Sequence, residues 1–167
     1  RMEKALKVIS EMHKEGVLKE YAIGGAIATI YYTEPFATND VDIFFVPPEE
    51  QGLLVLTPFY EFCTKRGYKT DKEYILIGET PIQFLPAATA LEKEAVQHAI
   101  TVKYKNIQVN ILRPEYLIAI FLHVFRLKDR EKIVRLLEQT KINKKLLSDI
   151  LSRHGLKEKF EHFTGER

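Results

Sequence analysis

The chain has 167 residues, 46% hydrophobic and 29% charged, with a formal net charge of +2, which suits a soluble globular chain forming one domain or a compact core with a helical appendage. Its single cysteine, Cys63, excludes an internal disulfide framework and a cysteine-based zinc site, and fits a reducing cytoplasm. No apolar run approaches the roughly 20 residues needed to span a membrane and the N-terminus lacks the build of a signal peptide, so a cytoplasmic protein without a membrane partner is expected.

Residues 2–15 read as an amphipathic helix with Leu6, Ile9 and His13 on one face and Gly16 as its stop. Tyr21-Ala22-Ile23 is a short strand, and a helix over Ala26 to Tyr32 starts directly after Gly24-Gly25, ending at Glu34-Pro35. Residues 41–46 form the central strand, closed by Pro47-Pro48. After a loop through Glu49-Glu50-Gln51-Gly52 and an ambiguous Leu53-Leu54-Val55-Leu56, Thr57 caps a helix with Pro58 in its first turn, which Gly67 stops. Tyr74 to Ile77 and Pro81 to Leu85 form a hairpin around Gly78-Glu79-Thr80; Ala88 to Gln97 is helical; Ile100 to Tyr104 and Ile107 to Ile111 form a second hairpin turning at Lys105-Asn106. From Pro114 onward the pattern is helical, with breaks near Leu127-Lys128, Lys141-Ile142-Asn143 and His154-Gly155.

Two features carry chemistry. Asp40 and Asp42 are two apart at the start of the central strand, so their side chains point the same way with Cα atoms under about 7 Å apart. Ionised carboxylates are costly in the otherwise buried string Val41-Asp42-Ile43-Phe44-Phe45-Val46 unless paired or metal-bound. The second feature is Gly24-Gly25, a turn open enough to admit a phosphate. Each has a plain structural reading, as surface aspartates or a strand-to-helix turn; their combination is what points to phosphate and a divalent ion. Charge is also uneven: residues 1–125 hold 13 Lys/Arg against 16 Asp/Glu, residues 126–167 hold 12 against 7. The basic end is either a solvated helical surface or a face for a triphosphate, an RNA backbone or an acidic partner. His123, on an apolar helix, reads as a core or interface residue.

The run Tyr21-Ala22-Ile23-Gly24-Gly25-Ala26, followed by Thr38-Asn39-Asp40-Val41-Asp42-Ile43-Phe44, resembles the core of the DNA polymerase β-like nucleotidyltransferase superfamily, within it the small stand-alone prokaryotic members including AbiEii-like toxins. Arg113-Pro114-Glu115-Tyr116-Leu117 and Arg126-Leu127-Lys128-Asp129 are similar to the helical end of those proteins, and the resemblance covers roughly residues 18 to 138. It implies an α/β (α+β) fold with a small mixed sheet of about five strands, flanking helices on one side and a C-terminal helical region, divided as 1–112 and 113–167. It also implies transfer of a nucleoside monophosphate from an NTP to a hydroxyl acceptor, with Asp40 and Asp42 as Mg²⁺ or Mn²⁺ ligands and Gly24, Gly25, Thr38 and Lys128 as nucleotide-binding residues. The acceptor is a small molecule, a protein or an RNA.

The sequence departs from that pattern in five places, one of them Phe36, which stands where the resemblance implies an arginine. Gln83 stands where the resemblance implies a third catalytic carboxylate, and an amide is a poor general base; Glu79 is a candidate replacement. Ala26 removes an expected hydroxyl, Phe121 stands for a lysine and Lys132 for an acid. These departures support an alternative: a degenerate, non-catalytic nucleotide- or partner-binding module. A toxin acting on RNA and paired with an antitoxin is a third reading.

Overall fold

The computed structural model describes residues 2–48 and 54–165. Helix α1 (Met2–Lys14) ends before Gly16, whose φ of 79° is a left-handed turn that side chains resist. Strand β1 (Tyr21–Ile23) leads into helix α2 (Gly25–Tyr32), and a loop returns to β2 (Val41–Phe45). The expected Glu49–Gly52 loop and Leu53 lie outside the described residues. In helix α3 (Thr57–Lys65) the cap is Leu56, not Thr57 as the sequence suggested; Pro58 then sits in the first turn, where its missing N–H costs nothing.

Strands β3 (Lys69–Asp71), β4 (Tyr74–Ile77) and β5 (Thr80–Pro86) form an antiparallel meander. Helix α4 (Ala90–Gln97) starts with a capping box: the Thr89 hydroxyl accepts the Glu92 N–H at 3.1 Å, and the Glu92 carboxylate accepts the Thr89 N–H at 3.1 Å. Strands β6 (Ile100–Tyr104) and β7 (Ile107–Ile111) turn at Lys105 and Asn106, both left-handed, as a two-residue hairpin loop requires. Helices α5 (Pro114–Val124), α6 (Leu127–Gln139), α7 (Lys144–Arg153) and α8 (Lys157–Thr164) follow. The break between α5 and α6 falls at Phe125, itself left-handed; its ring lies under Arg130 and Lys159 and edge-on to Phe163 of α8.

The strands form one sheet in the order β3-β4-β5-β2-β1-β7-β6, seven among the described residues where about five were expected. The unforeseen β3 is exposed along its whole length, so it lacks the apolar alternation that marks a strand, and its charges suit an unpaired edge. Helices cover both faces, not one. Phe45 and Phe44 project oppositely: Phe45 meets Phe59 of α3 at a 4.8 Å ring separation, while Phe44 lines a cavity with Leu117 and Phe121 of α5. Tyr21, the register partner of Phe45, meets His13 of α1 edge-on at 5.2 Å, which places α1 and α3 on the same face. Among the described residues no helix is long and apolar enough to cross a membrane.

Long-range hydrogen bonds fix α6 and α7 against this core. The Thr140 hydroxyl donates to the Tyr32 carbonyl at 2.6 Å, the Tyr32 hydroxyl to the Leu112 carbonyl at 2.9 Å, and buried Glu115 accepts the Asn143 N–H at 2.8 Å. A second tie centres on Glu94 of α4. Its carboxylate accepts both Arg153 Nη atoms at 2.7 Å and the Tyr116 hydroxyl at 2.6 Å, and lies 3.1 Å from His154 Nε2. The bonds from Arg153 above all hold the Glu94 carboxyl well below the usual carboxylate range.

Candidate active site

Asp42 sits at mid-sheet, where its backbone is held from both sides. The Gly24 N–H donates to the Asp42 carbonyl at 2.9 Å, and Asp42 is the direct register partner of Gln83 in the parallel β2–β5 pairing. Asp40, Asp42 and Phe44 share one face by strand alternation, and all three line an open cavity of about 790 Å³. Tyr74, one step beyond the Ile75–Ile82 pair, lines it beside Gln83. Three adjacent strands thus set an acid, an amide and a phenol in a row across the cavity floor, with Asp40 at its edge.

The two glycines do different work. Gly25 opens α2 with φ of 57° and lines the cavity; a Cβ there would lie 3.1 Å from Asp42 Cγ and 3.3 Å from Asp42 Cβ and would contact Asp42 Oδ2. Only a residue without a side chain leaves the Asp42 carboxylate where it is. Gly24 is buried with an ordinary φ of −122°, and does not line the cavity. A Cβ at Gly24 would lie 2.7 Å from Phe44 Cε2 and 3.1 Å from Leu112 Cδ1, so glycine is required there by packing.

The opposite wall is α6, which presents Arg126, Lys128, Lys132 and Arg135 to the cavity. Arg126 is engaged locally: its guanidinium forks onto Asp129 (Nε to Oδ2 2.9 Å, Nη2 to Oδ1 3.2 Å), and Asp129 is buried and also accepts the Arg126 N–H at 3.0 Å. Arg135 lies 4.6 Å over the Phe36 ring, pinning the loop that carries Thr38 and Asp40. Lys128 is exposed, whereas Lys132 is half-buried, its Nζ donating to the Lys128 carbonyl at 3.2 Å and lying 5.7 Å from the Phe121 ring centre.

Burial, then the charge of Asp40, pushes the Asp42 carboxyl above its ordinary value against the pull of Lys128, Arg126 and Lys132. Desolvation, then the carboxylates of Asp40, Glu73 and Asp42, raises the Tyr74 phenol. Burial lowers the Lys132 ammonium, partly opposed by Asp129 and Asp42. The cavity therefore sets a concentrated negative floor against a cationic wall, an arrangement for a cation on one side and an anion on the other.

The structure gathers Asp40, Asp42, Gln83, Gly25, Thr38 and Lys128 around this cavity, while Gly24 is buried beneath Phe44 and Leu112, which line it. Glu79 is exposed at the β4–β5 turn and does not line it. His123 is exposed, not a core residue, because the burial that runs unbroken from Glu115 to Leu122 ends before it in the last turn of α5. Tyr74, Arg135 and the inward position of Lys132 were not foreseen. Tyr74 was within reach, because a two-residue turn at Gly78-Glu79 fixes the register that brings it beside Gln83. The four-residue spacing of Lys128 and Lys132 likewise sets them on one helix face.

Two carboxylates, one neutral amide and one phenol make up the floor, and among the described residues no group of three or more His, Cys, Asp or Glu side chains is placed to hold an ion. That donor set fits one hard divalent cation that keeps water and borrows phosphate oxygens; it does not form a full protein cage.

The sequence matches no family model and no curated protein. Among solved structures the chain is similar to ANT(2″)-Ia in complex with adenylyl-2″-tobramycin, with a TM-score of 0.56 and 17% identity over 92% of this chain and 99% of that one. The solution structure of the antibiotic-resistance factor ANT(2″)-Ia gives 0.55 and 16% over 96% and 97%. An antigenic nucleotidyltransferase-like protein from Paracoccidioides brasiliensis gives 0.58 and 11% over 95% and 88%. At these identities the likeness is one of architecture: a mixed seven-stranded sheet flanked by helices, which is the nucleotidyltransferase fold.

Proposed function

We propose that this protein binds a nucleoside triphosphate with Mg²⁺ or Mn²⁺ and transfers the nucleoside monophosphate to a hydroxyl acceptor, at the cavity between β2 and α6. The observation that carries the reading is the placement of Asp40 and Asp42 on one strand face, with Gly25 against the Asp42 carboxylate and the α6 cations opposite. Asp40 and Asp42 hold the divalent ion, which when bound supplies positive charge at the phosphates. Gly25 leaves room for phosphate, Thr38 offers a hydroxyl donor, and Lys128 neutralises charge that builds on the leaving group. In the transfer the acceptor oxygen bonds to the α-phosphorus, the bond from that phosphorus to the bridging oxygen breaks, pyrophosphate leaves, and the acceptor proton passes to water in the open cavity. Gln83 cannot take that proton. Its place beside Asp42 is where a base would gain most, an effect typically of about 10²–10⁴-fold, so slow transfer is expected.

That same pairing favours a second reading, a module that binds nucleotide without turnover. The motif likeness to small stand-alone AbiEii-like proteins, and the division of the chain at residues 112 and 113, belong to this proposal too. ANT(2″)-Ia was captured with adenylyl-2″-tobramycin, which makes aminoglycosides a sensible member of the acceptor panel beside RNA and protein. The test is label transfer from α-labelled NTP to that panel with Mg²⁺. Labelled product that vanishes in Asp40→Asn supports transfer; metal-dependent NTP binding without product supports the binding module; neither binding nor product removes both.

A further inference from the structure

We propose that Lys132 does the work of a second divalent ion in this cleft, so that the bound triphosphate is held between one metal ion and one fixed ammonium. The inference deepens the function proposed above and rests on it. Two-ion phosphoryl transfer sets the ions about 3.5–4 Å apart, and two dications that close need carboxylates on both flanks to offset their repulsion. The floor offers Asp40 and Asp42 on one flank only; on the other, the register partner of Asp42 is the uncharged Gln83. Among the described residues nothing completes a three-carboxylate set.

What the cavity does offer on that side is a cation that needs no carboxylate cage. Lys132 is half-buried and faces the cavity, and it lies within electrostatic reach of Asp42. Its Nζ is tethered to the Lys128 carbonyl at 3.2 Å and rests against the Phe121 ring. An ammonium has three donors; one is used in the tether, leaving two for phosphate oxygens. The tether fixes the group before the nucleotide arrives, so less side-chain freedom is lost on binding than for exposed Lys128. Lys132 also follows Lys128 by one helical turn, which lets the two ammonium groups meet successive phosphates from one side.

The test uses the full chain with a non-hydrolysable ATP analogue and Mn²⁺, counting bound Mn²⁺ by electron paramagnetic resonance at saturating analogue. We expect one Mn²⁺ per protein–nucleotide complex without Mn–Mn coupling. Lys132→Gln should weaken analogue binding about ten- to a hundred-fold at unchanged Mn²⁺ stoichiometry, and Lys132→Arg, which keeps the charge, should restore most of it. Two coupled Mn²⁺ ions in the wild type, or Lys132→Gln binding as wild type does, overturns the inference while leaving the nucleotide site intact. No analogue binding with any divalent ion overturns the site and the inference together.

Discussion

Replacing Gly25 with alanine should separate the chemistry of the cleft from its stability. The added methyl group meets two obstacles. Gly25 has φ of 57°, a region where a side chain costs about 1–2 kcal/mol, and for a chain of this size each kcal/mol lowers Tm by about 2–4 °C. The backbone alone therefore predicts a fall of about 2–8 °C. The second obstacle is Asp42, whose Cγ would lie 3.1 Å from the new carbon, closer than ordinary contact, so the carboxylate must swing aside. Misplacing a group at a reacting centre by about 1 Å can cost 10²-fold, and a loss on the order of 10²-fold in Mg²⁺-dependent transfer or nucleotide affinity is expected. Gly16→Ala is the control, since Gly16 has φ of 79° with nothing within 4 Å of a Cβ. It should show a similar fall in Tm with nucleotide binding untouched. Thermal denaturation and calorimetry on the three proteins decide the matter: if Gly25→Ala binds Mg²⁺·NTP like wild type, the contact with Asp42 is not what holds the site.

Three further outcomes are expected. Gln83→Asp sets a carboxylate beside Asp42 and should raise label transfer by up to about 10²–10⁴-fold; wild-type transfer that the change leaves untouched would show that the base lies elsewhere. Glu94→Gln should lower Tm by roughly 2–4 °C at pH 7. Because the folded-state pKa of Glu94 is depressed below its ordinary 4.5, its contribution is fully present above that value and lost as pH falls through the folded pKa, so the gap between variant and wild type should narrow in Tm scans below about pH 4.5; a gap that widens in acid refutes the sign. If the acceptor is RNA held by the basic C-terminal helices, its affinity should fall steeply between 50 and 200 mM salt in filter binding, as counterion release requires, whereas no binding at low salt would leave those cations as solvated surface.

Most helices and strands were legible because their punctuation is local. Gly16, Gly67 and Lys105-Asn106 all adopt the left-handed conformations their positions suggested, and proline marks the first turn of α3 and α5. What was missed either lacked a hydrophobic pattern or depended on contacts distant in sequence. Strand β3 is ordered by its pairing with β4, with no apolar pattern of its own. Gly24 and Gly25 look alike in sequence, and only the positions of Phe44 and Asp42 show that one glycine serves packing and the other keeps the carboxylate clear. In the cleft, Asp40 and Asp42 were readable from strand alternation, and the pairing of Asp42 with Gln83 follows once β2 and β5 run side by side. The cationic wall needed the tertiary structure, because α6 reaches the cavity through ties such as Thr140 to Tyr32 and Glu34 to Gln139.

The most direct test of the central claim is isothermal calorimetry of ATP binding to the wild-type protein and to Asp42→Asn, each with Mg²⁺ and with EDTA. Saturable binding by the wild type that requires Mg²⁺ and falls at least about tenfold in Asp42→Asn is the expected result. Equal affinity with EDTA, or an Asp42→Asn protein that binds as tightly as wild type, would contradict a metal-dependent nucleotide site on β2.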